Sequence, residues 1–316
     1  MKKLYTSFAA MLLLLVFVGC KLYVPSEIPS NTSSDVPYET PQGIPSNNTV
    51  VTFGSFPQTI KKSGITVNES ESKVVGMFTY YRGSDGEWYA KHGSEYYKVE
   101  PIRWCVLTNN YNGKKLLHAE KVLINCAYYD FELAKRIIEG NTVYPNNYKE
   151  SRIRAYLNGL SYQVAASTGT QVENNEFLGK GFLQTAFTAE EQAKIATTIV
   201  DNSERSTYPD STPTYQYRGN KWACENTYDK LFLLSKEEYG NIEYNKQYRL
   251  NTDFAKANGA VSGLNGASVT CGCYWLRSPH YNSYDGSLAF AQGIVYQNFE
   301  VDSTGNGVCP ALVVQF

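Results

Sequence analysis

The chain has 316 residues, a formal net charge of −1 and 42% hydrophobic residues. A charge this close to zero leaves no global field to recruit nucleic acid or an anionic membrane surface. Length and apolar content together allow one large domain or two small ones around a real core.

The first element in chain order is an export signal. Met1–Lys2–Lys3 is a short basic head, the run from Leu4 to Val18 is apolar, and Gly19 stands directly before Cys20. The apolar run is shorter than the ~20 residues a membrane-spanning helix requires. The layout resembles a bacterial lipoprotein signal, with one departure: Phe17 stands where Leu, Val or Ile is commoner. That resemblance implies cleavage of residues 1–19 and a diacylglycerol on Cys20, so the chain would be tethered to a membrane in the cell envelope. Lys21 and Leu22 follow, with no Asp to suggest inner-membrane retention, which favours the outer membrane. Several acyl chains hold far better than one, since each buried CH₂ contributes about 0.8 kcal/mol.

Residues 20–49 read as a tether. Pro25, Pro29, Pro37, Pro41 and Pro45 recur among Ser, Asn and Thr, and such a composition cannot bury enough surface to offset its chain entropy. A random coil of this length spans on the order of 30 Å.

The folded part, 50–316, opens with strands. Val50–Phe53, Lys73–Tyr81, Trp88–Ala90, Tyr96–Val99, Ile102–Leu107 and Lys114–Ala119 are rich in Val, Phe and Tyr. Asn109–Gly113 between the last two is a hairpin signal. The middle turns helical: Ile153, Tyr156 and Leu157 have helical spacing within Ser151–Gly159, and Thr188–Glu191 and Ser235–Glu238 are capping boxes. Strands return at Leu231–Leu234, Tyr274–Arg277, Leu288–Tyr296 and Val308–Gln315, with turns at Asp285–Gly286 and Gly305–Gly307. Strands at both ends of a helical middle predict an α+β class.

Seven phrases in order carry a resemblance. They are Val51–Gln58, Ile102–Leu107, Ser151–Asn158, Ala186–Glu191, Asp229–Ser235, Tyr274–Pro279 and Gly307–Leu312. Together they resemble DUF6273, a bacterial domain family of unknown function, over roughly 50–316. The family's ending resembles C-type-lectin-like domains, including formylglycine-generating enzymes and phage tropism determinants. This implies a compact α+β domain with paired terminal strands around a helical middle and a ligand face on C-terminal loops.

Candidate chemistry is sparse. His92, His118 and His280 are the only histidines, and none has a metal-ligand partner at diagnostic spacing. No nucleophile elbow, Gly-rich phosphate loop or EF-hand spacing occurs, so no cofactor or metal is expected. Glu190 and Glu191 are explained by helix capping. The candidate binding residues are His280, Tyr281, Asn282, Tyr284, Tyr296, Asn298 and Phe299, a polar and aromatic set; ordinary turn chemistry is the plainer reading of the same residues. The total of 26 tyrosines fits both contact surfaces and strand packing. Trp275 and Arg277 read as scaffold.

Six cysteines follow Cys20, and sequence alone cannot choose among their fifteen full pairings. The family commonly carries Arg where this chain has Cys105 and Cys309, and the resemblance therefore implies a Cys105–Cys309 disulfide. Two buried free thiols are the alternative. A copper site at Cys271 or Cys273 would follow from formylglycine-generating chemistry, but that family's catalytic cysteines have another spacing near another phrase. The expected function is a non-enzymatic, membrane-anchored binding or adhesion module with a protein or glycan ligand. The alternatives are an envelope enzyme of the formylglycine-generating type and a structural envelope protein.

Overall fold

The computed structural model describes residues 49–165, 170–203, 206, 224–240, 249–262, 271–280, 285–289 and 295–314. Cys20 and the tether up to residue 48 lie outside this set.

Alternating Val, Phe and Tyr residues build a meander. It comprises β1 (Val50–Ile60), β2 (Val67–Val75), β3 (Phe78–Gly83), β4 (Trp88–His92), β5 (Glu95–Tyr111) and β6 (Lys114–Ala119). These join the strands Leu231–Phe232 and Ala311–Val314 in an eight-stranded sheet. Its order is 231–232, 311–314, β6, β5, β4, β3, β2, with β1 on the other side of β5. A second, five-stranded sheet runs 295–300, 285–289, 274–279, 307–308, 124–125. The result is a mixed fold made mostly of strands, with few and short helices.

Several expectations are corrected here. The first and last strands share a sheet but are not neighbours, because β1 pairs with β5 and 311–314 pairs with β6. The helical middle consists of helices of five to seven residues separated by strand pairs. The single strand expected at Lys73–Tyr81 is two, broken at Gly76. That residue sits at φ +55°, and a Cβ there would come within 2.0 Å of Thr185 Oγ1. Asp285–Gly286 is strand rather than turn, because it pairs with Glu300 and Phe299. The 288–296 strand is likewise two antiparallel strands, and 308–315 breaks at Cys309–Pro310.

Other local expectations hold. Asn112 and Gly113 have φ of 54° and 79°, the signature of the two-residue hairpin turn. Thr188 Oγ1 accepts from Glu191 N at 3.2 Å and Glu191 Oε2 from Thr188 N at 2.9 Å. Ser235 and Glu238 make the same pair of bonds.

The core joins both sheets. Trp104, Phe56, Phe182, Leu116, Leu312 and Trp275 are all fully buried within it. Its polar pin is Arg277, 0% exposed, which forms a very short ion pair with Glu238 and donates to Leu233 O at 2.8 Å and Asp201 O at 2.9 Å. Removing one partner of a buried pair strands the other charge at a cost of about 3–5 kcal/mol. We therefore expect Glu238→Gln to lower unfolding stability by about 3 kcal/mol or more, read as a shift in the urea midpoint at constant slope. A change under about 0.5 kcal/mol would show that the pair is not a stability determinant.

Candidate functional site

The site is built from the helix α1 (Arg152–Asn158) upward. Ser151 caps it, its Oγ accepting from Arg154 N at 3.2 Å, and Gly159 closes it in the left-handed conformation. The helix is clamped from its far end. Asn158 Nδ2 donates to Leu231 O at 2.8 Å, while its Oδ1 accepts from Lys230 N and Leu231 N. Arg154 Nε reaches both oxygens of buried Asp229, at 2.9 and 3.1 Å.

This fixes the first helical residue, Arg152, at the wall of a cleft of about 390 Å³. Arg152 Nη1 donates to Asp130 Oδ1 at 2.6 Å, and Nη2 lies 3.4 Å from Glu176. Its guanidinium sits 5.1 Å above the Phe177 ring. Met77 and Phe78 face this wall from the β2–β3 hairpin, and Asp302 and Thr304 from the turn after strand 295–300. Asn125 holds two rims together, its Nδ2 donating to Asn258 O and Thr304 O, both at 2.7 Å.

Cys126 also lines the cleft. Its carbonyl accepts from Trp275 Nε1 at 2.8 Å and its thiol donates to Ala127 O at 3.1 Å. Burial pushes this thiol up to about 11, against the pull of Arg152. It is therefore protonated at neutral pH and not an activated nucleophile.

Beside the cleft, Glu132, Glu300 and Asp302 bring their carboxylate oxygens within 4.8 Å of one another. Burial and then the neighbouring carboxylates Glu300, Asp302 and Asp285 raise Glu132. Among the described residues this trio is the one such grouping that could hold a metal ion, but acidic groups gather on surfaces without one.

A second buried cluster surrounds Arg249, 2% exposed. Its Nη2 donates to His118 Nδ1 at 3.2 Å, so the His118 proton resides on Nε2 and is given to Cys309 O at 3.2 Å. Burial, then Arg249, hold His118 well below its ordinary value. Arg249 Nε and Nη1 have no hydrogen-bond partner among the described residues. The guanidinium acts on both Cys105 and Cys309, yet burial dominates at each and carries Cys309 up to about 12. Both are free thiols in this structure. Cys105 lies opposite His118, whose other neighbour is Ala311, so β6 runs between the two chain segments.

The expected contact residues divide three ways. Tyr281, Asn282 and Tyr284 lie outside the described residues. Tyr296 and Asn298 belong to the strand Val295–Glu300, with their side chains outside the description, and Phe299 on the same strand is half-buried. His280 is 2% exposed, so it faces the interior and not a contact surface. Its amide donates to Asp285 O at 3.0 Å, and this strand pairing turns it inward. Trp275 and Arg277 are fully buried. Arg152, Cys126, Asp130, Glu176 and Asp302 were not singled out by sequence. Only the Ser151 cap, directly before Arg152, marks any of them.

The family described as a domain of unknown function (DUF6273) matches residues 112–316. The match begins at the β5–β6 turn, later than the start near residue 50 expected from the phrases. No curated protein and no solved structure matches the chain.

His280 makes a pH prediction. Burial, then Lys236, pull it down to about 4, although Asp285 Oδ2 stands 3.7 Å away. Below pH 6.5 the unfolded chain takes up a proton that the folded chain refuses, so stability falls as pH drops from 6.5 toward 4. The loss attributable to His280 is about 3 kcal/mol at pH 4. Urea unfolding of wild type and His280→Gln at pH 7 and pH 4 reads it: the variant should lose less stability on acidification. Equal losses would remove His280 as the cause.

Proposed function

Since the chain belongs to the DUF6273 family, a grouping without assigned chemistry, we propose from its site that it is a membrane-anchored, extracytoplasmic lipoprotein acting as a non-enzymatic ligand-binding module. The observation that carries the binding role is the cleft. It has the size of a small-ligand site, an aromatic and thioether wall, and a few converging polar groups. The non-enzymatic part is supported by the state of its nucleophile: with a thiol near 11, on the order of one Cys126 in 10,000 is thiolate at pH 7. The 302–304 turn contributes to the cleft, so the ligand face includes a C-terminal loop. Tyr281, Tyr284, Tyr296 and Phe299 are the contact residues that the sequence offers besides the cleft.

A C-type-lectin-like arrangement belongs to this proposal. Its support is that the first and last strands share one sheet. An experimental structure with β1 and 311–314 in separate sheets would overturn it.

The binding role is tested with a glycan and protein array probed by the full chain, wild type against Met77→Arg. Met77 is 36% exposed at the cleft mouth, so a long charged side chain there obstructs entry without disturbing the core. Ile199→Arg, at a 54% exposed position that does not line the cleft, is the control. Hits should weaken at least tenfold in the first variant and persist in the second. Hits that survive Met77→Arg but vanish in Tyr281→Ala or Tyr284→Ala would move the site to the loops.

The anchor rests on the basic–apolar–Gly–Cys layout ending at Cys20. Palmitate labelling should mark wild type and miss Cys20→Ser, and equal label in both would end the claim. Export also brings the chain to a compartment where disulfides are permitted. Non-reducing peptide mapping of the exported protein would then find Cys105 joined to Cys309. Recovery of either as a free thiol would refute the pairing.

A further inference from the structure

The charge pattern of the cleft and its apolar wall narrow the class of ligand, given the ligand-binding role proposed for it. Four ionised side chains line it: Asp130, Glu176 and Asp302 against Arg152. Arg152 is already committed to Asp130 and Glu176. Asp302 is left over, and its carboxylate crowds those of Glu132 and Glu300. The cleft and its rim thus hold five carboxylates against one guanidinium. Separately, the buried polar atoms of the lining without a hydrogen-bond partner among the described residues are Asn125 Oδ1, Asp130 Oδ2, Arg152 Nε and the Tyr156 hydroxyl, a mixed set of acceptors and donors. Asn125 Oδ1 cannot be exchanged for a donor by flipping the amide, because Nδ2 is needed by the Asn258 and Thr304 carbonyls. The rest of the lining includes Met77, Phe78 and Phe177, which present apolar and aromatic surface.

The geometry points to an organic cation as the ligand: a primary ammonium or guanidinium group on an apolar body, such as an aralkyl amine or a basic side chain. The cationic head would relieve the crowding at Asp302, while the body packs on the thioether and aromatic wall. An anionic ligand would face the same five carboxylates. A neutral one would leave the excess charge uncompensated. A bare divalent cation would satisfy the acids but leave the apolar wall without a role.

The test titrates the full chain calorimetrically with three probes that share one phenylethyl body, phenethylamine, phenethyl alcohol and 3-phenylpropionate, with calcium chloride alone as a fourth. Phenethylamine should bind at least tenfold more tightly than either analogue. Asp302→Asn, which touches neither Arg152 nor the core, should weaken it about tenfold while leaving the melting temperature unchanged. Glu176→Gln, with its side chain 39% exposed and the Arg152–Asp130 bond left intact, is the second variant and should also weaken it. Equal or tighter binding of the alcohol or the carboxylate overturns the cation assignment but leaves a ligand-binding cleft. Amine binding that ignores both variants overturns it by moving the site. Calcium that binds and displaces the amine overturns it in favour of a metal. No amine binding overturns it outright, and array hits lost in Met77→Arg would then show that the binding role itself survives.

Discussion

Arg277 is the constraint on which the two sheets depend. A guanidinium at zero exposure is tolerable only if nearly all its donors are met, and this one reaches across the molecule to meet them. Nη1 takes Glu238 and Leu233 O; Nη2 takes Asp201 O and Ser206 Oγ. Its own amide donates to Leu234 O at 3.0 Å. Leu233 and Leu234 directly follow the edge strand of the large sheet, while Arg277 lies inside the smaller one. Glu238 holds its place because the same carboxylate caps its own helix through Ser235 N. One ion pair therefore fixes a helix cap, a sheet edge and a central strand together.

That strand in turn sets the cleft. Arg277 O accepts from Tyr128 OH at 2.9 Å and Trp275 Nε1 binds Cys126 O, so the segment carrying Cys126 and Asp130 is pinned twice from 274–279. On the opposite wall, Asn158 and the Arg154–Asp229 pair orient α1 and aim Arg152. Glu191 works similarly at the top of the large sheet. One oxygen closes its capping box with Thr188 and the other accepts from Gly54 N at 3.2 Å. Gly54 is where β1 slips register against β5, at φ +69°, with the Phe187 ring 2.6 Å from where a Cβ would stand. Groups that look like local helix caps in sequence also carry long-range contacts.

The sequence was legible along that same division. Caps and tight turns rest on residues three or four apart, so Thr188, Ser235 and Asn112–Gly113 could be read directly. The joins between elements could not. Pro101 made β5 look like two strands, yet its missing donor is tolerated where β1 is irregular, and its carbonyl accepts from Gln58 Nε2 at 3.1 Å. The cleft was least legible, because Arg152, Glu176 and Asp302 come together only through tertiary packing. Likewise, His280 reads as part of a polar surface loop from its neighbours, and only its pairing with Asp285 turns it inward.

The family match and the physical unit do not coincide, and the sheet says which boundary governs folding. The match begins at residue 112, at the tip of the β5–β6 hairpin. β5 nevertheless lies at the middle of the large sheet, with β1 on one side and β4 and β6 on the other. Without 50–111, β6 would present an open edge of unpaired amides and carbonyls. Leu116, Leu117 and Phe182 would lose the packing of Trp104, Ile102 and Phe56. Trp104 itself depends on this segment, its Nε1 donating to Phe53 O at 2.7 Å. Met77 and Phe78, one wall of the cleft, also come from the part before residue 112. The segment outside the match therefore completes both the core and the site, and whatever the matched region does alone, the cleft of this protein requires the strands that precede it.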